Sequence, residues 1–410
     1  MTQQFSRLGG IARTLTAAAA ALAVLVAAPK APAQFGPGGF REMMEPSINS
    51  KEIEKYAAIL KMTPEQLSDA RNLLDGFTGE YGAIAKEMQA TADAARNEFS
   101  ESRDPTVWRD LGKSMVGYGA RIKKLEASYF DDVKLLLNDE QAAAWPKVER
   151  ARRREHSLPR GILVSGETVD LFKIVDGAKL DAKVMEQVQP MLDQYEMDLD
   201  RALVERDRQY EEGTSKGMEL WSTQQMDKIQ ELFDRSRDAA AKVREVNKKY
   251  AREIQSALPE GKQAAFATEV KKATFPRVYR SNYLTRSLDT ADQLPDITPE
   301  QKTQLAEIRA AYEQAVTPMN DKLASSIEET EMKRTAMQMF GMGGPQNDGS
   351  REIRDQKNQL DSTTYDKIRG VLTDSQKAKL PERPQQNNWR NGAAGGGSPP
   401  PAGGARPMGG

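Results

Sequence analysis

One spacing returns three times along the chain and limits what it can fold into. Leu60-Lys61-Met62-Thr63-Pro64-Glu65-Gln66 is matched by Asp296-Ile297-Thr298-Pro299-Glu300-Gln301. A weaker copy, Lys179-Leu180-Asp181-Ala182-Lys183-Val184, lies between them. The anchors Met62, Leu180 and Ile297 stand 118 and 117 residues apart. Eleven residues after each come Leu73, Met191 and Ile308, and fifteen after come Phe77, Tyr195 and Tyr312. A second series closes each copy at Leu137, Leu258 and Leu372, at distances of 75, 78 and 75 from the anchors. Val133, Ile254 and Ile368 precede these by four, and Trp145, Phe266 and Leu380 follow by eight. Two independent series in one register make the chain a tandem triplication.

Within each copy the apolar spacing is that of a helix. Ile229, Phe233, Ser236, Ala240, Val243, Val246, Tyr250, Ile254 and Leu258 step by three and four along one face. Between the anchors there is room for two long helices and a turn. A helix of about 35 residues runs roughly 50 Å at 1.5 Å per residue. The predicted turns are Ser102–Pro105, with Asp104 as cap before a proline; Glu212-Gly213-Thr214; and Gly341–Gly349. Shorter helices flank the hairpin, as at Ser50–Leu60 and Glu140–Arg154, and Pro190 and Pro318 fall inside helices as kink points. The expected fold is all-α: three tandem antiparallel helical hairpins, elongated, with disordered termini. The modules are placed at 48–157, 158–275 and 276–382. A flexible linker at 34–47 precedes them, and a Pro/Gly-rich tail at 383–410, too polar to bury a core, follows.

Composition agrees with this and removes several chemistries. Aromatics are only 6% and charged residues 29% of the 410, too few large and β-branched side chains for an all-β core. With 59 basic and 60 acidic residues, the chain lacks the basic excess of a nucleic-acid binder. No cysteine means no thiol catalysis, disulfide or thiolate metal site. The lone histidine, His156, excludes a multi-histidine centre. No nucleophile, base and ligand set emerges, so no enzyme activity and no cofactor are expected.

The amino end reads as an export signal. Arg7 and Arg13 precede an apolar run from Leu15 to Ala28, and Ala31-Pro32-Ala33 offers a cleavage site. Fourteen apolar residues fall short of the ~20 needed to span a bilayer. Cleavage after Ala33 removes Arg7, Arg13 and Lys30, giving a mature chain of net charge −4 with no transmembrane segment, periplasmic or secreted.

The recurring Leu/Met/Ile-Thr-Pro-Glu-Gln, with Leu137-Asn138-Asp139-Glu140-Gln141 and Leu372-Thr373-Asp374-Ser375-Gln376, follows the pattern L-T-x-x-Q. It is a helix start: Thr63, Asn138, Thr298 or Thr373 caps the third helical N–H, and Gln66, Gln141, Gln301 or Gln376 reaches back to the cap. Paired at the two ends of a helical hairpin in an exported, cysteine-free chain, these motifs resemble the periplasmic LTxxQ proteins, the Spy/CpxP-like chaperones and envelope-stress regulators. The first and third modules each correspond to one such protein. The middle module departs, with Leu180-Asp181-Ala182-Lys183-Val184 and Leu258-Pro259-Glu260-Gly261-Lys262-Gln263. The resemblance implies a small all-helical fold, a dimeric or other homo-oligomeric habit, and a face that holds unfolded clients.

Other features carry less. Gly112-Lys113-Ser114 ends like a phosphate loop, but Val107 stands where the first glycine belongs. Lys147, Arg150, Arg152, Arg153 and Arg154 form a candidate anion-binding patch, or else the solvated end of a helix whose C-terminus attracts cations. Met332, Met337, Met339 and Met342 suit apolar contacts better than Cu(I), since no histidine supports a site. The expected function is non-enzymatic, chaperone-like binding of unfolded or envelope proteins; a structural coiled-coil spacer of the envelope is the alternative.

Overall fold

The computed structural model describes residues 45–104, 106–339 and 350–383, which are helical with no strand among them. The predicted leader, residues 34–44 of the linker, the Gly341–Gly349 turn and the tail beyond Arg383 lie outside the described residues. The described residues form two compact units: one holds those up to Arg280 together with those from Asn320 to Ile353, the other those of Ser281–Met319 and from Arg354 on.

In the first unit, α1 (Ser50–Leu60) leads into a hairpin of α2 (Pro64–Ser102) and α3 (Thr106–Leu135), followed by α4 (Asp139–His156). Asn49 caps α1 in a box with Glu52, and Asp104 accepts the N–H of Thr106 at 2.8 Å where α3 begins. Tyr56, Leu74, Phe77, Tyr129, Trp145 and Val148 fill the space where the four helices meet. A 3-10 turn (Leu158–Arg160) and an irregular stretch then lead to α5 (Leu171–Gly177) and a longer hairpin, α6 (Ala182–Ser222) with α7 (Met226–Ala257), closed by α8 (Glu260–Thr274) and α9 (Pro276–Tyr279). Its core is a separate cluster built on Leu171, Leu192, Tyr195, Val243, Tyr250 and Phe266. The stripe read along residues 229–258 is the buried face of α7, with Phe233 and Val246 at its margins. Burying each such Leu, Val or Tyr side chain contributes roughly 1.5–3 kcal/mol, which is what holds long polar helices together without disulfides.

The second unit contains α10 (Tyr283–Asp292) and the start of α11 (Pro299–Glu331), with most of α13 (Ser350–Val371) and α14 (Asp374–Lys377). Leu288, Leu305, Tyr312, Tyr365, Ile368 and Leu380 form its core. The end of α11 and the short α12 (Ala336–Met339) belong to the first unit. Pro146, Pro190 and Pro318 each sit inside a helix that continues past them.

One predicted turn is misplaced. Glu212-Gly213-Thr214 is helix, and the chain reverses ten residues later, at Thr223–Gln225, where Gln224 adopts φ 56°. The segment is kept helical by the Thr214 hydroxyl donating to the Tyr210 carbonyl (2.6 Å), by a Glu212–Lys216 pair (2.9 Å), and by packing on α7. A mid-helix glycine costs only about 1 kcal/mol, less than these contacts return. An added Cβ at Gly213 would meet only the Ser236 Oγ, at an ordinary 3.7 Å. Gly213→Ala is therefore expected to raise unfolding stability by about 0.5–1 kcal/mol, read by denaturant titration. A turn at this position would give the opposite sign.

Candidate functional site

The four L-T-x-x-Q glutamines do more than cap. In the first module Gln66 and Gln141 face each other, and each amide donates to the other's oxygen, at 2.8 and 2.9 Å. Gln66 Oε1 also accepts the N–H of its cap residue Thr63 (2.9 Å), and its second N–H donates to the carbonyl of Leu136 at the end of α3 (2.6 Å). Gln141 does the same with Asn138 N–H (3.0 Å) and with the carbonyl of Lys61 at the end of α1 (3.1 Å). Each amide thus uses both donors and both lone pairs. Two helix starts and two helix ends are tied at one point, and carbonyls left over by the ending helices are satisfied.

The same clasp is built in the third module, in the second unit. Gln301 and Gln376 exchange hydrogen bonds at 3.0 and 3.2 Å. Gln301 donates to the Val371 carbonyl (2.9 Å) and Gln376 to the Asp296 carbonyl (2.9 Å), while Thr298 and Thr373 donate their N–H groups to the glutamine oxygens at 3.0 and 2.9 Å. The acids next to the caps, Glu65 and Glu300, have carboxyls held below the usual range, first by their own backbone N–H and then by the Thr63 or Thr298 hydroxyl. In the middle module Val184 occupies the first glutamine position and Lys262 the second. Asp181 still caps α6 through the Val184 N–H (2.9 Å), and Lys262 Nζ still reaches the carbonyl ending α5, at Ala178 (2.9 Å). One helix-end contact survives; the amide pair does not.

A second equivalent position lies eleven residues before Leu137, Leu258 and Leu372: Glu126, Asn247 and Asp361. Each grips the segment that opens its own module. Glu126 bonds Ser47, Asn247 Nδ2 donates to the Gly166 carbonyl (2.8 Å), and Asp361 accepts from Asn282 Nδ2 (2.8 Å). Tyr195 donates to Asn247 (2.9 Å) and Tyr312 to Asp361 (2.8 Å); the first module has Phe77 at that place and pairs Glu126 with Arg152 instead (2.7 Å). Burial raises the Asp361 carboxyl above the ordinary aspartate range, against the lowering effect of Tyr312, Lys357 and Asn282.

The arginines of the candidate anion patch are engaged within the protein. Arg150 and Arg154 each pair with Glu196 at 3.1 Å, Arg153 pairs with Asp200, and Arg152 with Glu126. Arg154 also lies over the Phe172 ring at 4.0 Å and Arg152 over Phe130 at 4.8 Å. These groups join α4 to α3, α5 and α6; only Lys147 stands fully at the surface. His156 Nε2 lies 2.6 Å from the carboxylate of Glu52, so it belongs to the α1–α4 contact. Gly112-Lys113-Ser114 is mid-helix in α3, and Met342 lies outside the described residues. Among the described residues no group of three acidic, histidine or cysteine side chains is arranged to hold a metal ion. No helix among them is long and apolar enough to cross a membrane.

What the surface does offer is apolar. On α3, Trp108 is 40% and Val116 62% exposed, about 12 Å apart along the helix, with Trp108 tilted against Phe99 across the hairpin turn (5.3 Å). Met197 and Val204 are exposed on α6. Comparison with family models, curated proteins and solved structures gives no match.

Gln66→Glu keeps the cap-directed oxygen but removes both donors and sets a carboxylate against Gln141; a loss of about 2–3 kcal/mol is expected by chemical denaturation. Combined with Gln141→Glu the loss should be more than additive, whereas independent caps would add simply. Asp361, with its folded carboxyl raised, binds its proton more tightly when folded. Stability of the second unit should therefore increase as pH falls from neutral towards the ordinary carboxylate range, and be lost as pH rises through the raised value. Asp361→Asn, the residue type already used at 247, should cost under about 1 kcal/mol at pH 7 and flatten that dependence.

Proposed function

We propose that this protein is an exported, non-enzymatic helical chaperone of the LTxxQ type, periplasmic or secreted, that holds unfolded or envelope proteins on its hairpin surfaces. The observation that carries the reading is the exposure of two large apolar side chains, Trp108 and Val116, on α3. These side chains stand on a hairpin whose base is fixed by the Gln66–Gln141 clasp. Rigid helices presenting separated apolar side chains among charges suit transient contact with exposed apolar segments, because they offer area without a closed pocket. The engaged arginines turn attention away from anionic ligands and towards these two side chains. The leader expected at residues 1–33 supplies the compartment, where no nucleotide-driven cycle is available and binding must release by affinity alone.

The purified mature protein should suppress aggregation of an unrelated denatured protein at near-equimolar ratio; no suppression at tenfold excess overturns the reading. Trp108→Ser with Val116→Ser should raise the amount needed by about fivefold, the factor that 1 kcal/mol of lost contact produces; losing the Trp108–Phe99 contact lowers stability by about 0.5–1.5 kcal/mol, so the assay is run well below the variant's own denaturation midpoint.

A further inference from the structure

The outer half of the first module's hairpin is built from two unlike helices. Residues 87–101 of α2 stand opposite residues 108–121 of α3, with Trp108 against Phe99 at the turn and Arg121 paired with Glu87 at the inner limit. The α2 side carries Ala90, Ala92, Ala94 and Ala95 and no glycine, whereas the α3 side carries Gly112, Gly117 and Gly119. Each glycine lowers the helix-forming equilibrium about fivefold against alanine. Nothing in the packing requires these three: a Cβ added at any of them would meet no neighbouring atom within 4 Å, and none has a positive φ.

The α3 side is also thinly held. The buried residues of α3 are Val107 at the turn and Tyr129 and Val133 at the base, whereas α7, of similar length, buries eleven. From Trp108 to Arg121 no residue is buried, and Leu111 and Met115 are half-buried. On the facing stretch of α2 the buried side chains are Met88, Ala92 and Ala95, two of them a single methyl group. The polar ties across the pair are the Thr91–Tyr118 hydroxyls (2.8 Å), the Tyr118 hydroxyl on the Glu87 carbonyl (3.4 Å) and the Arg121–Glu87 ion pair. All three lie at the inner end. Between Trp108 and Gly117 the side chains of Asp110, Lys113 and Ser114 bond within α3 itself. From Ile122 inward the helix joins the base, where Ile122 and Leu125 pack on the core of Tyr56, Phe77 and Tyr129.

We infer that residues 108–121 form an arm that opens on its own, leaving α2 and the base of the module folded. The closed form dominates and is the helix pair described above. The open form is a minor population that frees Leu111 and Met115 beside Trp108 and Val116. The step in burial at Ile122 sets where opening stops, and the alanines of α2 decide which helix gives way. The inference concerns the fold of this arm and does not depend on the chaperone reading.

Native-state hydrogen exchange on the full mature chain, read fragment by fragment across sub-denaturing urea concentrations, tests it. In the wild type, amides of 108–121 should be at least about tenfold less protected than those of 126–135, and respond little to urea, because a small opening exposes little surface. Gly112→Ala, Gly117→Ala and Gly119→Ala together should slow their exchange on the order of a hundredfold, the product of three fivefold steps. Gly76→Ala with Gly79→Ala, in the inner part of α2, also adds Cβ atoms that meet nothing within 4 Å. That pair strengthens the base and should leave exchange in 108–121 unchanged. The inference is overturned if 108–121 share the protection and urea slope of 126–135, if the triple variant leaves their exchange unchanged, or if the Gly76/Gly79 pair slows 108–121 as much as it slows the base.

Discussion

Everything at the base of the first and third modules depends on two primary amides meeting head to head. A side-chain amide is the only group among the natural residues with two donors and an acceptor oxygen in one plane and no charge. Placed at the third position of a helix, it gives its oxygen to the cap residue and has two N–H groups left over. Two such amides facing each other share one donor apiece, and the other donor of each closes the end of a neighbouring helix. Glutamate would make the cap and fail at the rest. The clasp therefore explains why the motif needs glutamine, which helix capping alone leaves open.

The middle module solves the same problem with different chemistry. It loses the amide pair, keeps one tie through Lys262, and locks its interior through Tyr195, Asn247 and the Gly166 carbonyl, which form a buried chain. Around its opening stretch, Glu167 and Arg206 are both fully buried, the carboxylate accepting the N–H groups of Leu163 (2.6 Å) and Val164 (2.9 Å). Burial pushes the Glu167 carboxyl up, with Arg206 the main opposing influence. Gly161 is required there, since a Cβ would come within 2.4 Å of the Glu167 side chain. The repeats share a pattern of apolar positions and differ in which polar contacts lock it.

Much of this was legible in the residues. The anchors at Phe77, Tyr195 and Tyr312, and at Val133, Ile254 and Ile368, are buried, because a period of three and four over thirty residues has one physical solution. The separation of 75 between paired motifs is the separation of the paired glutamines, yet a capping box uses up the visible signal, and the unspent N–H groups went uncounted. The Gly213 turn failed because a glycine marks a turn only where no neighbouring helix offsets its cost. The basic cluster read as a surface feature because its partners, Glu196 and Asp200, lie more than forty residues on and belong to another helix; sequence shows charge, not who faces it. The packing of Ala336 against Trp221 was out of reach for the same reason: a lone alanine has no signature.

The order of the chain also sets an order of events. The first unit is not continuous in sequence, since Asn320–Ile353 joins it only after the chain has passed through Ser281–Met319. A chain emerging amino end first presents Trp221 and Ile229 long before Ala336 exists to cover them. The hairpin tip is therefore made before its cover, and nascent and finished molecules differ in stickiness at one defined place.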